Sequence, residues 1–305
     1  MSDGPGHVWV DGSLLSARGP HLSVFDRGFQ LGDGVFETLR ARAGHPAELD
    51  EHLERLRRSA DGLGIELPGD LEAVIARAVV ELLRAEELDG PDGDASIRIT
   101  LSRGAFRGRG LLPPNEHVSP TLAVQAWPVP APPAGHLERG LAVVASAVRR
   151  DPESPLAALK TTSRADYVYA RLEARRAGAD DALFLTTDGY LSEATSANVF
   201  LVRRPGGSDA SELATPAIAC AILPGTTRNW ILRWAGQAGL ATAETWLTTA
   251  DLLAADQAFL SSSVAGILPL TSFEGAPIGD GAPGPWTARA RQARDAFLRT
   301  AGDRA

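Results

Sequence analysis

Two residues in this chain could do chemistry together. Lys160 sits in Leu159-Lys160-Thr161-Thr162-Ser163-Arg164, and Glu193 opens Glu193-Ala194-Thr195-Ser196-Ala197-Asn198-Val199-Phe200, just after the turn-like Thr186-Thr187-Asp188-Gly189-Tyr190. Lys160 is the chain's sole lysine, every other strongly basic side chain being Arg. An amine can condense with a carbonyl, and a carboxylate can hold a ring nitrogen protonated while the ring takes up electrons. Taken singly, a surface Lys and a strand-end Glu are the plain alternatives. Two further segments offer phosphate binding. Leu223-Pro224-Gly225-Thr226-Thr227-Arg228 opens a helix whose first N–H groups and positive dipole end suit an anion, with Gly225 allowing close approach. A plain helix cap is the other reading. Arg55 could add a charge-assisted hydrogen bond; Arg57 and Arg58 lie on other helical faces.

These groups need a scaffold, and the chain's periodicities supply one. Val8 to Val10 and Ser13 to Leu15 read as short strands around Asp11-Gly12. Asp26 to Gly34 reads as a Gly-rich loop leading into a strand through Val35 to Arg40. Helices are expected over 50–61, with Asp50 as N-cap, and after Pro68-Gly69-Asp70. Ile97 to Leu101 and Thr121 to Ala126 read as strands. Trp127 to Gly135 holds four prolines, which stop helix and central strand alike and give a stiff linker. The expected organisation is therefore a smaller N-terminal domain (1–126), a linker (127–135) and a larger domain (136–305). In the latter, a strand at 141–147, a helix over 163–178, strands at 182–185 and 198–202, and helices opening near 224 and after Gly284-Pro285 are expected.

Phe36 and Thr38, two apart, share one strand face. Arg98 lies between Ile97 and Ile99, so it faces away from them; a lone Arg in an apolar strand needs an anionic partner or solvent. Its expected role is to grip a substrate carboxylate. The loop Ser102-Arg103-Gly104-Ala105-Phe106-Arg107-Gly108-Arg109-Gly110 adds three guanidinium groups.

Composition narrows the function classes. The chain has 305 residues, 44% hydrophobic and 22% charged, as an ordinary globular protein does. A formal charge of −8 gives no reason to expect nucleic acid or an anionic membrane as partner, so a phosphate must be held by local Arg side chains and backbone amides. Cys220 is the single cysteine, and the six His residues never fall at metal-ligand spacing, so neither a disulfide nor a metal site is expected. The N-terminus shows no basic-then-apolar leader and no apolar run nears 18 residues; a cytoplasmic protein is expected.

The Glu-x-Thr-x-x-Asn-Val-Phe run from Glu193 resembles the signature of the fold-type IV (class IV) aminotransferases, which depend on pyridoxal 5′-phosphate (PLP). Further segments resemble that family in the same order: Asp26 to Thr38, Glu51 to Ala60, Leu223 to Arg228 and Asp256 to Ser263. The likeness spans residues 7 to 300. It implies a mixed α+β and α/β fold of two domains, the N-terminal one α/β and the larger a pseudo-barrel, in a homodimer whose sites receive a loop from the neighbour. By that likeness Lys160 would bond the cofactor as an imine and move the substrate proton, and Glu193 would face the ring nitrogen. Arg55, Gly225, Thr226, Thr227 and Ser263 would hold the phosphate, with Asn198 and Arg164 also at the cofactor. Arg164 has a second reading, a helix-surface cation.

Substrate selection is expected from Phe36, Thr38, Arg98 and Arg109. The aminodeoxychorismate lyase pattern shares Thr38 and the Ser-Arg-Gly…Arg-Gly loop, yet has Lys where Arg98 stands. The common D-amino-acid aminotransferase pattern has Tyr at the Phe36 position and Arg-x-His in the loop, and neither is present. The branched-chain pattern shares Phe36 and Arg98 but has Lys-Ala-Gly-Gly-Asn-Tyr in place of Lys-Thr-Thr-Ser-Arg-Ala. The resulting expectation is a transaminase passing an amino group from an amino acid, D-configured and with (R)-amines also accepted, to a 2-oxo acid. Lyase chemistry and branched-chain L-amino acids are the alternatives, and both donor enantiomers stay open.

Overall fold

The computed structural model describes residues 4–113, 117–204 and 210–300; the first three residues of the N-terminus lie outside the described residues. Two compact units form: Met1–Pro130 with Leu159–Arg164 and Leu298–Ala305, and Ala131–Ala158 with Ala165–Phe297. The division differs from the expected one in two places. The strand expected to stop at Ala126 runs on through Pro128, where Pro128 is the partner of Ala95 at the strand end and its missing N–H disrupts no further ladder. The segment around Lys160 groups with the first unit because it pairs with a strand there.

The first unit runs β1 (His7–Val10), β2 (Ser13–Ser16), α1 (Arg27–Leu31), β3 (Gly34–Arg42), β4 (His45–Pro46), α2 (Leu49–Gly62), α3 (Leu71–Ala85), β5 (Asp94–Ser102) and β6 (Thr121–Pro128). Its sheet has the order β2-β1-β6-β5-β3-β4, with antiparallel neighbours throughout. Period-two alternation decides its two faces. Val35, Leu39 and Ala41 of β3 and Ala95, Ile97, Ile99 and Leu101 of β5 are buried against Leu53 and Leu56 of α2 and Ile75, Val79 and Leu82 of α3. The opposite parity carries Phe36, Thr38, Arg98 and Thr100, as the Ile-Arg-Ile alternation required.

Two local expectations are corrected. The Gly-rich stretch from Asp26 contains the short helix α1, because the Asp26 carboxylate accepts from the N–H groups of Gly28 and Phe29 and caps it. Asp50 is not the cap of α2. Glu48 holds that place in a left-handed conformation (φ 54°) with no side-chain cap bond, and Asp50 sits in the first turn, toward the positive end of the dipole.

The second unit runs β7 (Leu141–Arg150), α4 (Ala165–Arg176), β8 (Asp181–Thr186), β9 (Leu191–Ala194), β10 (Asn198–Arg203), β11 (Glu212–Pro216), α5 (Thr226–Gln237), β12 (Ala241–Thr245), α6 (Thr249–Leu253), β13 (Gln257–Ser262), β14 (Gly266–Phe273), β15 (Ala276–Pro277) and α7 (Pro285–Thr300), the last as far as Phe297. Its sheet order is β12-β11-β10-β13-β14-β7-β8-β9, with β15 added beside β14. The pairs β7/β8, β7/β14 and β11/β12 are parallel. Tyr167, Ala170 and Ala174 of α4 pack on Ala182 and Phe184 of β8. Ile231 and Ala235 of α5 and Ala290 of α7 share a core with Phe200, Val202 and Phe259. Among the described residues no helix is long and apolar enough to cross a membrane, and no group of three or more His, Cys, Asp or Glu is placed to hold a metal.

Candidate active site

In the first unit, Lys160 is fixed by its backbone. Its carbonyl accepts from the Phe36 N–H (3.0 Å), its N–H donates to Ser59 Oγ (3.0 Å), and Thr162 N–H donates to the Gly34 carbonyl (2.8 Å). Residues 160–162 thus pair with the start of β3, with Thr161 opposite Val35. Gly32 permits this approach. It closes α1 at φ 68°, and a Cβ there would come within 2.3 Å of Ser163 Oγ.

The side chains then converge on one ring. Lys160 Nζ lies 4.8 Å from the centroid of Phe36, Arg98 Cζ 3.9 Å and Arg164 Cζ 5.7 Å. Arg98 also donates from Nε to Thr100 Oγ1 (3.1 Å) and pairs in register with Thr38. Burial, reinforced by the nearby Arg164 charge, presses the Arg98 guanidinium below its usual value. Three basic side chains thus gather about one phenyl ring.

Arg55, expected at a phosphate, is engaged on the opposite face of β3. Its Nε and Nη2 donate to the two oxygens of Glu37 (2.7 and 2.6 Å), and His52 Nδ1 lies 2.7 Å from the same carboxylate. Glu37 is fully buried. Burial alone would raise its pKa, but the bonds and charges of Arg55 and His52 prevail and hold it at about 2. Arg109 is exposed and makes no hydrogen bond or ion pair among the described residues. Its loop is instead held by Arg27, which donates to the carbonyls of Gly110 (3.2 Å) and Leu111 (2.8 Å). Arg27 and Arg103 both pair with Asp33.

In the second unit, three donors converge on Glu193, itself nearly buried. Leu223 N–H donates to Oε2 (2.9 Å), Asn198 Nδ2 reaches the same oxygen at 3.5 Å, and Tyr167 Oη donates to Oε1 (3.3 Å). Asn198 Nδ2 also donates to the Leu223 carbonyl (3.1 Å). Asn198 therefore ties the Glu-bearing strand to the turn before α5. That turn requires glycine: a Cβ on Gly225 would lie 2.1 Å from Asn198 Oδ1. No side chain caps α5 and no acidic residue occupies its first turn, while Thr226 Oγ1 and Ser263 Oγ lie 3.3 Å apart at that end. Thr227 is buried and accepts from Arg294 Nη2 (3.3 Å).

Sequence reasoning passed over Glu37, His52, Ser59 and Tyr167. Glu37 did leave a signal, being an acid at the core parity of β3 between Val35 and Leu39, where only a paired charge can sit. Tyr167 left none.

A sequence profile described as amino-transferase class IV matches residues 34–273. The chain is 34% identical over 286 residues to a provisionally named branched-chain-amino-acid aminotransferase of Methanocaldococcus jannaschii (93% of this chain, 94% of that protein). It is 31% identical to a D-alanine aminotransferase of Bacillus licheniformis (92% and 93% covered). It is also 31% identical to an aminodeoxychorismate lyase of Bacillus subtilis (88% and 86% covered). Among solved structures, the branched-chain amino acid aminotransferase of Escherichia coli superposes with a TM-score of 0.87 at 27% identity, covering 97% of this chain and 95% of that one.

Proposed function

The chain belongs to the class IV aminotransferases, enzymes of the two-domain fold-type IV that use PLP, and from that premise we propose that it transaminates an α-amino acid held by its carboxylate, with a 2-oxo acid as acceptor. The residues present suit the cofactor. The start of α5 offers a helix N-terminus without a side-chain cap or an acid, with two hydroxyls beside it, and the sole lysine stands among cations over an aromatic ring. PLP supplies a carbonyl that condenses with amines and a protonated ring that takes up the electron pair left when a Cα proton departs.

The chain's own groups do the rest. Lys160 Nζ would hold that carbonyl as the nucleophile and would serve as the base that carries the Cα proton. Glu193, oriented by the donors from Leu223, Asn198 and Tyr167, would face the ring nitrogen and favour a proton there. Thr226, Ser263 and the amides after Gly225 would receive the phosphate. Arg98 would grip the donor carboxylate, with Arg164 beside it and Thr38 opposite it on the same sheet face.

The placement of Arg98, over Phe36 on the sheet face opposite the apolar core, carries this reading, because a carboxylate-bearing donor would offer that guanidinium a charged partner. Two observations favour aliphatic L-amino acids as donors over the D-configured donors and (R)-amines first expected. The Phe36 and Arg98 pair is that of the branched-chain pattern, and the relative at 34% identity carries that name. The test is a half-reaction screen read from the cofactor spectrum with L-leucine, D-alanine, (R)-1-phenylethylamine and aminodeoxychorismate. L-Leucine should convert the cofactor, and Arg98→Ala should weaken it about 100-fold or more. Turnover of D-alanine alone would restore the D-amino-acid reading. Release of pyruvate from aminodeoxychorismate would favour the lyase, for which Thr38 and the loop of Arg109 speak. A homodimer is part of the proposal. Phe29, Leu111 and Leu112, 74–86% exposed in the first unit, support it as apolar surface that a second copy would cover; a monomer by light scattering would oppose it.

A further inference from the structure

We propose that Arg294 is a positioning residue for the cofactor's phosphate, acting from behind the first turn of α5 through Thr227; this rests on the reading of α5 as the phosphate turn. Arg294 is 1% exposed, among the largest fully buried side chains of the chain. It lies on the inward face of α7 with Thr287 and Ala290, all three at helical spacing and all buried. Its guanidinium donates from Nη2 to Thr227 Oγ1 at 3.3 Å, and its Cζ lies 5.1 Å from the ring centroid of Trp230 and 5.0 Å from that of Phe297. Thr227 and Trp230, three apart, share one face of α5. A single cation therefore grips the opening turn of that helix at two points.

Two consequences follow from where this charge sits. A Thr hydroxyl that accepts from a guanidinium keeps its own proton for donation, and its rotamer is fixed by the bond. The positive charge also adds to the helix dipole at the end where an anion is to be received. Buried, it acts through a medium that screens it far less than water would. Arg294 touches neither phosphate nor substrate in this account; it sets the turn that does.

The experiment titrates the full-length apoprotein with PLP and, separately, with pyridoxal, which lacks the phosphate, reading binding by the cofactor's absorbance. Arg294→Met should weaken PLP roughly tenfold or more while changing pyridoxal less than about threefold. Arg294→Lys, which keeps the charge, should recover most of the loss. Thr227→Val, which keeps the volume and removes the hydroxyl, should reproduce part of the same selective loss, and decides alone if Arg294→Met does not fold. Equal weakening of both ligands would mean that Arg294 only packs α7 on α5, and PLP affinity unchanged in either variant would equally overturn the proposal. If borohydride fails to fix PLP to the unaltered protein at Lys160, the functional reading fails, separately from this one.

Discussion

Replacing Glu37 with Gln should expose how much the first unit depends on one buried carboxylate. Gln keeps the shape and one acceptor oxygen but removes the charge facing Arg55 and His52, both nearly or fully buried. The carboxyl is held at about 2 against an ordinary 4.5. That difference corresponds to about 3 kcal/mol of stability at pH 7. Breaking a buried ion pair from one side costs a similar amount, roughly 3–5 kcal/mol, because the remaining cation stays buried without its counter-charge. Because folding depresses this pKa, the contribution is complete above about pH 4.5 and drains away as the pH falls toward 2. By pH 3 only about 1 kcal/mol of it should remain. Urea unfolding of the unaltered and Glu37→Gln proteins at pH 7, 5, 4 and 3 reads this directly. The gap between them should be widest at pH 7 and shrink steadily below pH 4.5. A gap that stays constant down to pH 3, or one under about 1 kcal/mol at pH 7, would refute the argument that this carboxylate's charge anchors Arg55.

Three further outcomes are expected of the site itself. Lys160→Ala should leave a folded protein to which borohydride no longer fixes PLP, since no other side-chain amine exists; fixation persisting in the variant would dismiss Lys160. Glu193→Gln should retain PLP but slow the half-reaction with an amino donor about 100- to 1000-fold, as losing one preorganised electrostatic group does. An unchanged rate in stopped flow would remove Glu193 from the ring nitrogen. Gly225→Ala should weaken PLP about tenfold or more, because the new methyl meets Asn198 Oδ1 at 2.1 Å and must push aside the residue that ties Glu193 to the turn. Its backbone angle of −73° is ordinary, so unaltered binding would show that Asn198 yields freely.

The sequence by itself determined the family and most of the local elements. A sole lysine and an ordered series of motifs were enough to single out Lys160 and Glu193 as candidates, and the Ile97-Arg98-Ile99 alternation gave the strand face of Arg98, because side-chain parity is a property of the strand alone. Helix positions followed from periodicity, while the cap of α1 was hidden by the glycines around it and the start of α2 by the unusual left-handed Glu48. What the sequence did not determine was pairing at a distance. Arg55 lies with Glu37, 18 residues earlier, because β3 turns that acid to the side α2 covers. Glu193 gathers donors from residues 167, 198 and 223, on a helix, a strand and a turn that only the sheet order brings to one carboxylate. Lys160 meets Phe36 because its segment hydrogen-bonds along β3, more than a hundred residues away. Periodicity fixes which way a side chain points. Which charge it finds there depends on long-range packing, where a buried ion is tolerated only if the fold delivers its partner.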